Sequence, residues 1–356
     1  MAKTRLAVLF GGKSGEHEIS CISATSVIKA VDKEKYDIIT IGITKAGEWL
    51  LYEGPVDNIE SGAWEKIAKA ELAEDPEHFA LTILGTGGKG LKDICDFVFP
   101  VLHGPNGEDG TVQGVLKLLD IPFAASGVLG CALTMDKIAA KDVFKSAGIK
   151  QVPYVALNST EIGPEIEKKI NDTLVYPLFI KPANMGSSVG ISKVHDPSGL
   201  EAALKEAAKY DIRIVVEQGV NARELETAVM GNLEPVAGAV GEVLTEADFY
   251  DYEAKYHSSA SRTVVPADLP KELSDEIRAE AIKAYLACNC SGFARVDFLV
   301  DKDSQEIYLN EINSIPGFTK ISMFPMLFMA TGLTYTEIVE RIIELGYERY
   351  NAENQK

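Results

Sequence analysis

Two short stretches late in the chain place polar side chains where a buried strand would normally carry apolar ones. In "FARVDFLVD", Arg295 and Asp297 share one strand face, because side chains alternate with a period of two. In "YLNEIN", Glu311 and Asn313 share a face in the same way. If the two strands pair as an antiparallel hairpin with even residue sums, all four side chains point the same way. Such a face offers hard oxygen ligands that suit Mg²⁺ or Mn²⁺, and a structural salt bridge around Arg295 is the alternative.

A second group of candidates is cationic and surrounds a glycine-rich turn. Lys181 opens "KPANMGSSVGISK", in which two glycines bracket Ser187 and Ser188. A hairpin tip of this kind can aim backbone N–H groups and hydroxyls at a phosphate. Lys137 opens a predicted helix and supplies a second local cation. The sequence has neither a Walker A motif nor G-x-G-x-x-G, so a plain turn with surface lysines is the alternative.

Two glutamates lie at the edge of another predicted strand. Glu217 ends an apolar strand in "RIVVEQGV", and Glu224 follows a short loop. Carboxylates at such places can accept hydrogen bonds from ribose hydroxyls, and the exposed backbone beside them can bind an adenine edge. Two surface acids are the alternative interpretation.

The elements that must position these residues form three successive groups. "RLAVLFGG", a helical stretch, "YDIITIGI" and "CDFVFPVLHG" predict a parallel sheet with right-handed crossovers. "YPLFIKPANMGSSVGISKV" predicts a hairpin, and "ARELETAVMG" with "EPVAGAVGEV" predicts antiparallel strands before the late hairpin. We therefore expect an α/β (α+β) protein with domains at 1–133, 134–217 and 218–356.

Helix caps can also be predicted from the sequence. Thr134 and Ser274 are the expected N-caps of helices at "TMDKIAAKDVFKSAGI" and "LSDEIRAEAIKAYLACN". Thr334 and Glu337 have the spacing of a capping box at the last helix.

Composition excludes several classes of protein. The 356 residues are 46% hydrophobic and 25% charged, with a net charge of −18 and no basic cluster, which argues against nucleic-acid binding. No apolar run is long enough to cross a membrane or to act as a signal peptide. The five cysteines are scattered, which favours buried free thiols in a reducing cytoplasm over disulfides or a zinc site.

Taken in order, these features resemble the ATP-grasp superfamily and, within it, the D-alanine–D-alanine ligase family. The order is a lysine, a lysine with a Gly-Ser loop, two glutamates, R-x-D and E-x-N. Further matching stretches are "LFGGKSGEHEIS", "LHGPNGEDGTVQG", "SGVLGCALTMDK", "YDYEAKY" and "NEINSIPGFT", so the resemblance runs from residue 7 to residue 326. It implies a Rossmann-like N-terminal parallel sheet and ATP held between two further α+β domains.

The resemblance also implies a role for each candidate residue. At the amino-acid substrates it implies Glu16, His103, Lys255, Arg295 and Ser322. At ATP it implies Lys137, Lys181, Ser187, Glu217, Glu224 and Lys255. At two metal ions it implies Asp297, Glu311 and Asn313. As catalytic groups it implies Glu16, Ser187, Tyr256, Arg295, Gly317 and Ser322, with Arg295 and the Gly317 N–H at the developing oxyanion.

The implied activity is ATP-dependent ligation of two D-alanines through an acyl phosphate, for peptidoglycan synthesis. Implied cofactors and partners are ATP, two Mg²⁺ or Mn²⁺ ions, D-alanine and a second copy of the chain in a homodimer, while a monovalent cation is left open. The Gly186–Gly190 hairpin and the Tyr250–Pro266 loop are the expected lids. Tyr256 resembles the residue of dipeptide-forming members, and a D-alanine–D-lactate ligase or another ATP-grasp carboxylate–amine ligase is the alternative. A non-catalytic ligand-binding protein and a nicotinamide-dependent oxidoreductase are alternatives from other classes.

Overall fold

A computed structural model of the chain describes residues 3–83, 89–245 and 261–355. Its first sheet has four strands in the order β3-β2-β1-β6, and β1 runs parallel to both β2 and β6. The strands of this region are β1 (Thr4–Gly11), β2 (Tyr36–Ile43), β3 (Trp49–Tyr52), the short pair β4 (Leu81–Thr82) and β5 (Lys89–Gly90), and β6 (Phe97–Pro100). Its helices are α1 (His17–Ala30), α2 (Asp57–Glu60), α3 (Trp64–Glu74), α4 (Pro76–Phe79), α5 (Leu91–Ile94), α6 (Thr111–Leu118) and α7 (Val128–Met135). The predicted parallel pairing of β1, β2 and β6 is confirmed, and β3 adds an antiparallel strand beside β2.

The second sheet has four antiparallel strands in the order β7-β10-β8-β9. Its strands are β7 (Tyr154–Asn158), β8 (Leu178–Pro182), β9 (Ser192–Val194) and β10 (Arg213–Gln218). Helix α8 (Lys137–Ser146) precedes this sheet and packs Ala140 and Phe144 into the core of the third sheet. The helices of the second sheet are α9 (Pro164–Thr173) and α10 (Leu200–Ala207), with 3-10 turns at Ser159–Glu161 and Pro197–Gly199. The glycine-rich turn joins β8 to β9, so the predicted hairpin is confirmed.

The third sheet has five strands in the order β13-β12-β11-β14-β15. Its strands are β11 (Ala222–Met230), β12 (Val236–Thr245), β13 (Ser261–Val264), β14 (Phe293–Asp301) and β15 (Ile307–Asn313). Its helices are α11 (Lys271–Ala287), α12 (Met323–Met329) and α13 (Tyr335–Asn354). The antiparallel pairing of β11 with β12 is confirmed.

The register of the last hairpin is the one that the alternation predicts. Arg295 lies opposite Asn313, and Asp297 lies opposite Glu311, so both residue sums are even. The register shifts immediately after Asp297. This irregularity limits the polar pairing to the end of the hairpin, while Phe298 and Leu309 beyond it are buried in the core.

The hydrophobic core is shared unevenly among the three sheets. One large core contains residues of the first sheet, such as Leu6 and Phe99, together with residues of the third, such as Phe293 and Phe324. The rings of Phe99 and Phe293 lie 6.3 Å apart. The second sheet has a separate core built from residues 155–216 alone. The first and third sheets therefore form one packed block, and the second sheet is packed mainly on its own helices.

Two of the predicted helix caps are wrong. Thr134 lies inside α7, where its hydroxyl donates to the carbonyl of Gly130, while the Asp136 carboxylate caps α8 by accepting from two backbone N–H groups. Ser274 lies inside α11, because that helix begins at Lys271. The Thr334–Glu337 capping box is confirmed.

Two further observations bear on the sequence-based expectations. All five cysteines are buried free thiols, as expected. Among the helices that the structure describes, none combines the length and the apolar character needed to cross a membrane.

Candidate active site

The carboxylate face of the β14–β15 hairpin carries its own cation. The Arg295 guanidinium donates two hydrogen bonds of 2.7 Å to the carboxylate of Asp297, and Asn313 Nδ2 donates to Asp297 at 2.9 Å. Glu226 of the neighbouring strand β11 lies 2.9 Å from Arg295 Nε. Burial disfavours the charge of Arg295, but attraction to Asp297 and Glu226 outweighs it and holds the Arg295 pKa well above its usual value. The salt bridge and the predicted ligand set thus involve the same residues.

The last strand is connected to the glycine-rich turn through Lys137. Lys137 Nζ donates to the carbonyl of Met185 at 2.8 Å and lies 3.7 Å from the carboxylate of Glu311. The Lys137 backbone N–H also donates to Ala183, at the end of β8. One cation at the start of α8 therefore contacts both the base of the turn and the candidate metal ligand.

A buried ion triplet lies near these residues. We use the word cleft for the region between the glycine-rich turn and the β14–β15 hairpin, which Lys137 connects. Glu217 is 3% exposed, and its two oxygens lie 2.5 Å from Lys181 Nζ and 2.7 Å from Lys141 Nζ. Burial alone would raise the pKa of Glu217, but the two ammonium groups lower it strongly. Glu224 lies near enough to contribute to the raised pKa of Lys181. Glu217 is therefore a carboxylate acceptor at neutral pH.

The loop after β6 closes the other side of the site. His103 is buried, and its Nδ1 lies 2.8 Å from the Ile315 carbonyl. The Glu108 carboxylate accepts from the N–H of Ile315 at 3.0 Å and from the N–H of Gly104 at 2.7 Å. Burial lowers the pKa of His103, whereas burial and the nearby Glu16 raise the pKa of Glu108 to about 8. This loop therefore holds Ile315, two residues after β15, through both its backbone N–H and its carbonyl.

Glu16 and Ser187 bring the first sheet and the glycine-rich turn into contact. Glu16 directly precedes α1, and its carboxylate accepts a hydrogen bond from the Ser187 hydroxyl. Gly104 has a φ of +70°, and a Cβ there would lie 2.8 Å from Glu16 Oε2. A glycine is therefore needed at this position both for its backbone conformation and for the approach of the acid.

Gly317 and Ser322 lie together beyond the polar hairpin. A Cβ at Gly317 would lie 3.2 Å from Ser322 Oγ. The Ser322 hydroxyl accepts from the N–H of Thr319 at 3.0 Å and precedes α12. This pair is held by local turn contacts, separately from the salt-bridged face.

The donor set of the hairpin fits a hard divalent cation. Asp297, Glu311 and Asn313 provide oxygen atoms from facing positions of two paired strands, and their present partners are positively charged or N–H groups. Within residues 3–83, 89–245 and 261–355, no three His, Cys, Asp or Glu side chains are grouped to hold a metal. The Asn313 amide would offer its oxygen to a metal ion only in the opposite orientation, because its Nδ2 donates to Asp297 here.

Two predicted site residues, Lys255 and Tyr256, lie outside the described residues, as does most of the expected Tyr250–Pro266 lid. Three other contacts were missed from the sequence: Lys141, Glu226 and Glu108. Lys141 follows Lys137 by four residues on α8, and Glu226 follows Glu224 by two on β11, so helix and strand periodicity could have indicated both. Nothing local distinguishes Glu108 from its neighbours in "GEDG".

Comparisons with known proteins agree along the whole chain. Residues 5–126 match the family described as D-ala D-ala ligase N-terminus, and residues 143–344 match D-ala D-ala ligase C-terminus. The D-alanine--D-alanine ligase of Acetivibrio thermocellus is 48% identical, covering 98% of this chain and 97% of that protein. The ligase of the same name from Clostridium acetobutylicum is 48% identical, covering 98% of this chain and 100% of that protein.

Two solved structures of ligases are similar to this chain over nearly its full length. The VanG D-Ala:D-Ser ligase from Enterococcus faecalis has a TM-score of 0.84 and 37% identity, covering 97% of this chain and 100% of that chain. The D-alanine-D-alanine ligase from Coxiella burnetii has a TM-score of 0.85 and 32% identity, covering 100% of this chain and 97% of that chain. The mixed α/β architecture with several sheets is therefore confirmed.

Proposed function

This chain belongs to the D-alanine–D-alanine ligase family, and from that membership we propose that it joins two D-alanines into D-alanyl-D-alanine for peptidoglycan synthesis. The observation that carries the proposal is the near-full-length identity of 48% to ligases of that name. The site supports it, since ion pairs of lysines, carboxylates and Arg295 come from the second and third sheets or their adjoining segments. Glu16, which follows the first strand, joins them through Ser187.

The reaction requires activation of a carboxylate. An oxygen of the first D-alanine attacks the γ-phosphorus of ATP, ADP leaves, and an acyl phosphate forms. The amine of the second D-alanine, after losing a proton, attacks the acyl carbon, and phosphate leaves with the former carboxylate oxygen. Lys137 and Lys181 suit the phosphates, because both are cations partly enclosed in the cleft. Glu217 and Glu224 would accept from adenine and ribose.

Asp297, Glu311 and Asn313 would hold two Mg²⁺ or Mn²⁺ ions, with Glu311 shared between them. When bound, these ions neutralise phosphate charge and hold the phosphates in line for transfer. If Asp297 bound a metal ion instead of Arg295, Glu226 on the adjacent strand would keep the Arg295 guanidinium oriented.

The acyl-transfer step needs donors at the developing oxyanion. We assign this role to Arg295 and the N–H of Gly317, a type of contribution worth about 3–4 kcal/mol per donor. Ser322, beside Gly317, would hold the carboxylate of the second D-alanine. Glu16 and His103 line the position of the first, where Glu16 would receive its ammonium group.

Closure over the acyl phosphate would use the contact between Glu16 and Ser187, completed by Tyr256, with Lys255 directed at the phosphates. We also propose domains at 1–133, 134–217 and 218–356, a homodimer, a cytoplasmic setting and no nucleic-acid or membrane partner.

The test is phosphate release from ATP and Mg²⁺ with D-alanine, with L-alanine as the control and the product identified by mass spectrometry. We expect D-alanyl-D-alanine from D-alanine alone. Parallel reactions add D-lactate or D-serine, because one structural relative is a D-Ala:D-Ser ligase. Preferred formation of the mixed product near neutral pH would replace the substrate assignment, and absence of ATP turnover with every acceptor would refute a ligase.

A further inference from the structure

Glu217 lies between two lysines, with one ammonium group at each of its carboxylate oxygens. One ammonium group would neutralise the single carboxylate, yet Lys141 and Lys181 each contact a different oxygen of Glu217. A buried cation is costly to desolvate, so the presence of two lysines at one carboxylate calls for a separate explanation of each.

The two lysines differ in what they can reach. The Lys141 side chain is 2% exposed, extends from the buried face of α8 and lies 5.0 Å from the centre of the Tyr154 ring. The Lys181 side chain is 14% exposed and lies close enough to Glu311 and Glu224 for both carboxylates to raise its pKa. Only Lys181 is therefore placed to exchange its partner for a ligand.

We propose that Lys141 is a positioning residue that serves as the permanent counter-ion of Glu217, so that Lys181 can leave Glu217 for the phosphates of ATP. This inference rests on the proposed function, which places ATP in the cleft. Without Lys141, the departure of Lys181 would leave a buried carboxylate unpaired, which is strongly unfavourable.

The exchange also has a consequence for recognition of the base. When Lys181 leaves, Oε2 of Glu217 becomes available to accept an N–H donor, while Oε1 stays paired with Lys141. An ionised carboxylate can only accept, so it favours a base with an amino group at its edge over one with a carbonyl there. Binding of the phosphates and recognition of the amino base are thereby coupled through one side chain.

The experiment measures binding of ATP with Mg²⁺ at pH 7.5 by titration calorimetry, without D-alanine and therefore without turnover. The variants are K141M, K141R, E217Q and the double variant K141M/E217Q, and K145M is the matched control because Lys145 is an exposed lysine on the same helix. We expect K141M to weaken ATP binding by about tenfold or more, since release of Lys181 now uncovers an unpaired buried charge. K141R and K145M should bind ATP with an affinity within about twofold of the wild-type value, because changes at independent sites alter free energies by no more than about 0.5 kcal/mol.

Two readouts separate this role from a merely structural one. Titrations in buffers of different ionisation enthalpy should show that K141M takes up a proton with ATP, because Glu217 is then neutralised by protonation, whereas the wild type and K141M/E217Q do not. The double variant should recover most of the affinity that K141M loses, because no carboxylate remains to be left unpaired. Wild-type affinity in K141M, or a double variant no better than K141M, would overturn the inference.

Failure of the proposed function gives a different result. If the wild-type protein binds ATP but does not ligate D-alanine, the proposed ligase activity is refuted. The ATP affinities of the variants would still decide the role of Lys141. If K141M does not fold, comparison of E217Q with K141M/E217Q decides instead. With the carboxylate already absent, removal of Lys141 should change ATP affinity by less than about twofold, and a larger loss contradicts the inference.

Discussion

Replacement of Glu108 by glutamine should change the stability of the protein in a pH-dependent way. Glu108 ionises near pH 4.5 in an unfolded chain, whereas burial and the charge of Glu16 raise its folded-state pKa to about 8. Between these values the unfolded state releases the proton and the folded state retains it, so wild-type stability falls as pH rises. The slope is about 1.4 kcal/mol per pH unit, and it sums to at most about 5 kcal/mol over the interval.

The E108Q variant removes this titration but also removes an acceptor. Its amide has one oxygen for the N–H groups of Gly104 and Ile315, which costs about 1–3 kcal/mol for the donor left without a partner. Near pH 5.5 the variant should therefore equal the wild type or be slightly less stable. Near pH 8 it should be more stable by about 2–4 kcal/mol.

The assay is urea unfolding from pH 5.5 to 8.5, followed by tryptophan fluorescence and circular dichroism. E165Q is the control, because it makes the same chemical change at a glutamate that is exposed on α9. His103 has a lowered pKa and destabilises the fold as pH falls below about 6.5, but it does so in both proteins and cancels in the difference. A difference between E108Q and wild type that stays flat with pH would refute the reasoning.

Three further outcomes follow from the contacts of the site and its supporting helices. E311Q should abolish turnover and weaken Mn²⁺ binding measured by electron paramagnetic resonance; normal Mn²⁺ affinity would remove Glu311 from the ligand set. S187A should lower kcat/KM for D-alanine by about 10- to 100-fold through loss of its hydrogen bond to Glu16, with unchanged Tm and with S188A as control. An S187A enzyme no slower than S188A would show that this contact is dispensable. T334A should lower Tm by about 1–3 °C, because it removes the capping box of α13. An unchanged Tm in calorimetry would show that the cap does not contribute to stability.

The sequence was most informative where position along one element decides orientation. Alternation within β14 and β15 predicted the common face of Arg295, Asp297, Glu311 and Asn313, and the observed register agrees. That inference needed only the two-residue period of a strand and the free-energy cost of burying a charged group without a partner. The parallel strands of the first sheet were predictable from the strand–helix–strand order. The hairpin between β8 and β9 was predictable from the glycine-rich turn between two apolar strands.

Contacts between distant segments could not be predicted in this way. Glu108 contacts Ile315 across 207 positions of the chain, and no local pattern indicates that pairing. The cap of α8 was assigned wrongly because Thr134 and Asp136 are both good capping residues, and the extension of α7 to Met135 decided between them. Three-dimensional packing, not intrinsic preference, made these choices.

The uneven division of the core bears on how the cleft opens. Because the first and third sheets share a single interior, separating them would expose large aromatic side chains to water. The second sheet has its own core and, among the described residues, shares with α8 only the small apolar cluster of Ile138, Ala183 and Val215, so we expect its rotation as a rigid body to expose far less apolar surface. Such a rotation would carry Lys181 and Ser187 away from the block while Arg295, Asp297 and Glu311 stay fixed. We therefore expect substrate entry and product release to require movement of the second sheet, with the groups proposed for acyl transfer held in the block of the first and third sheets.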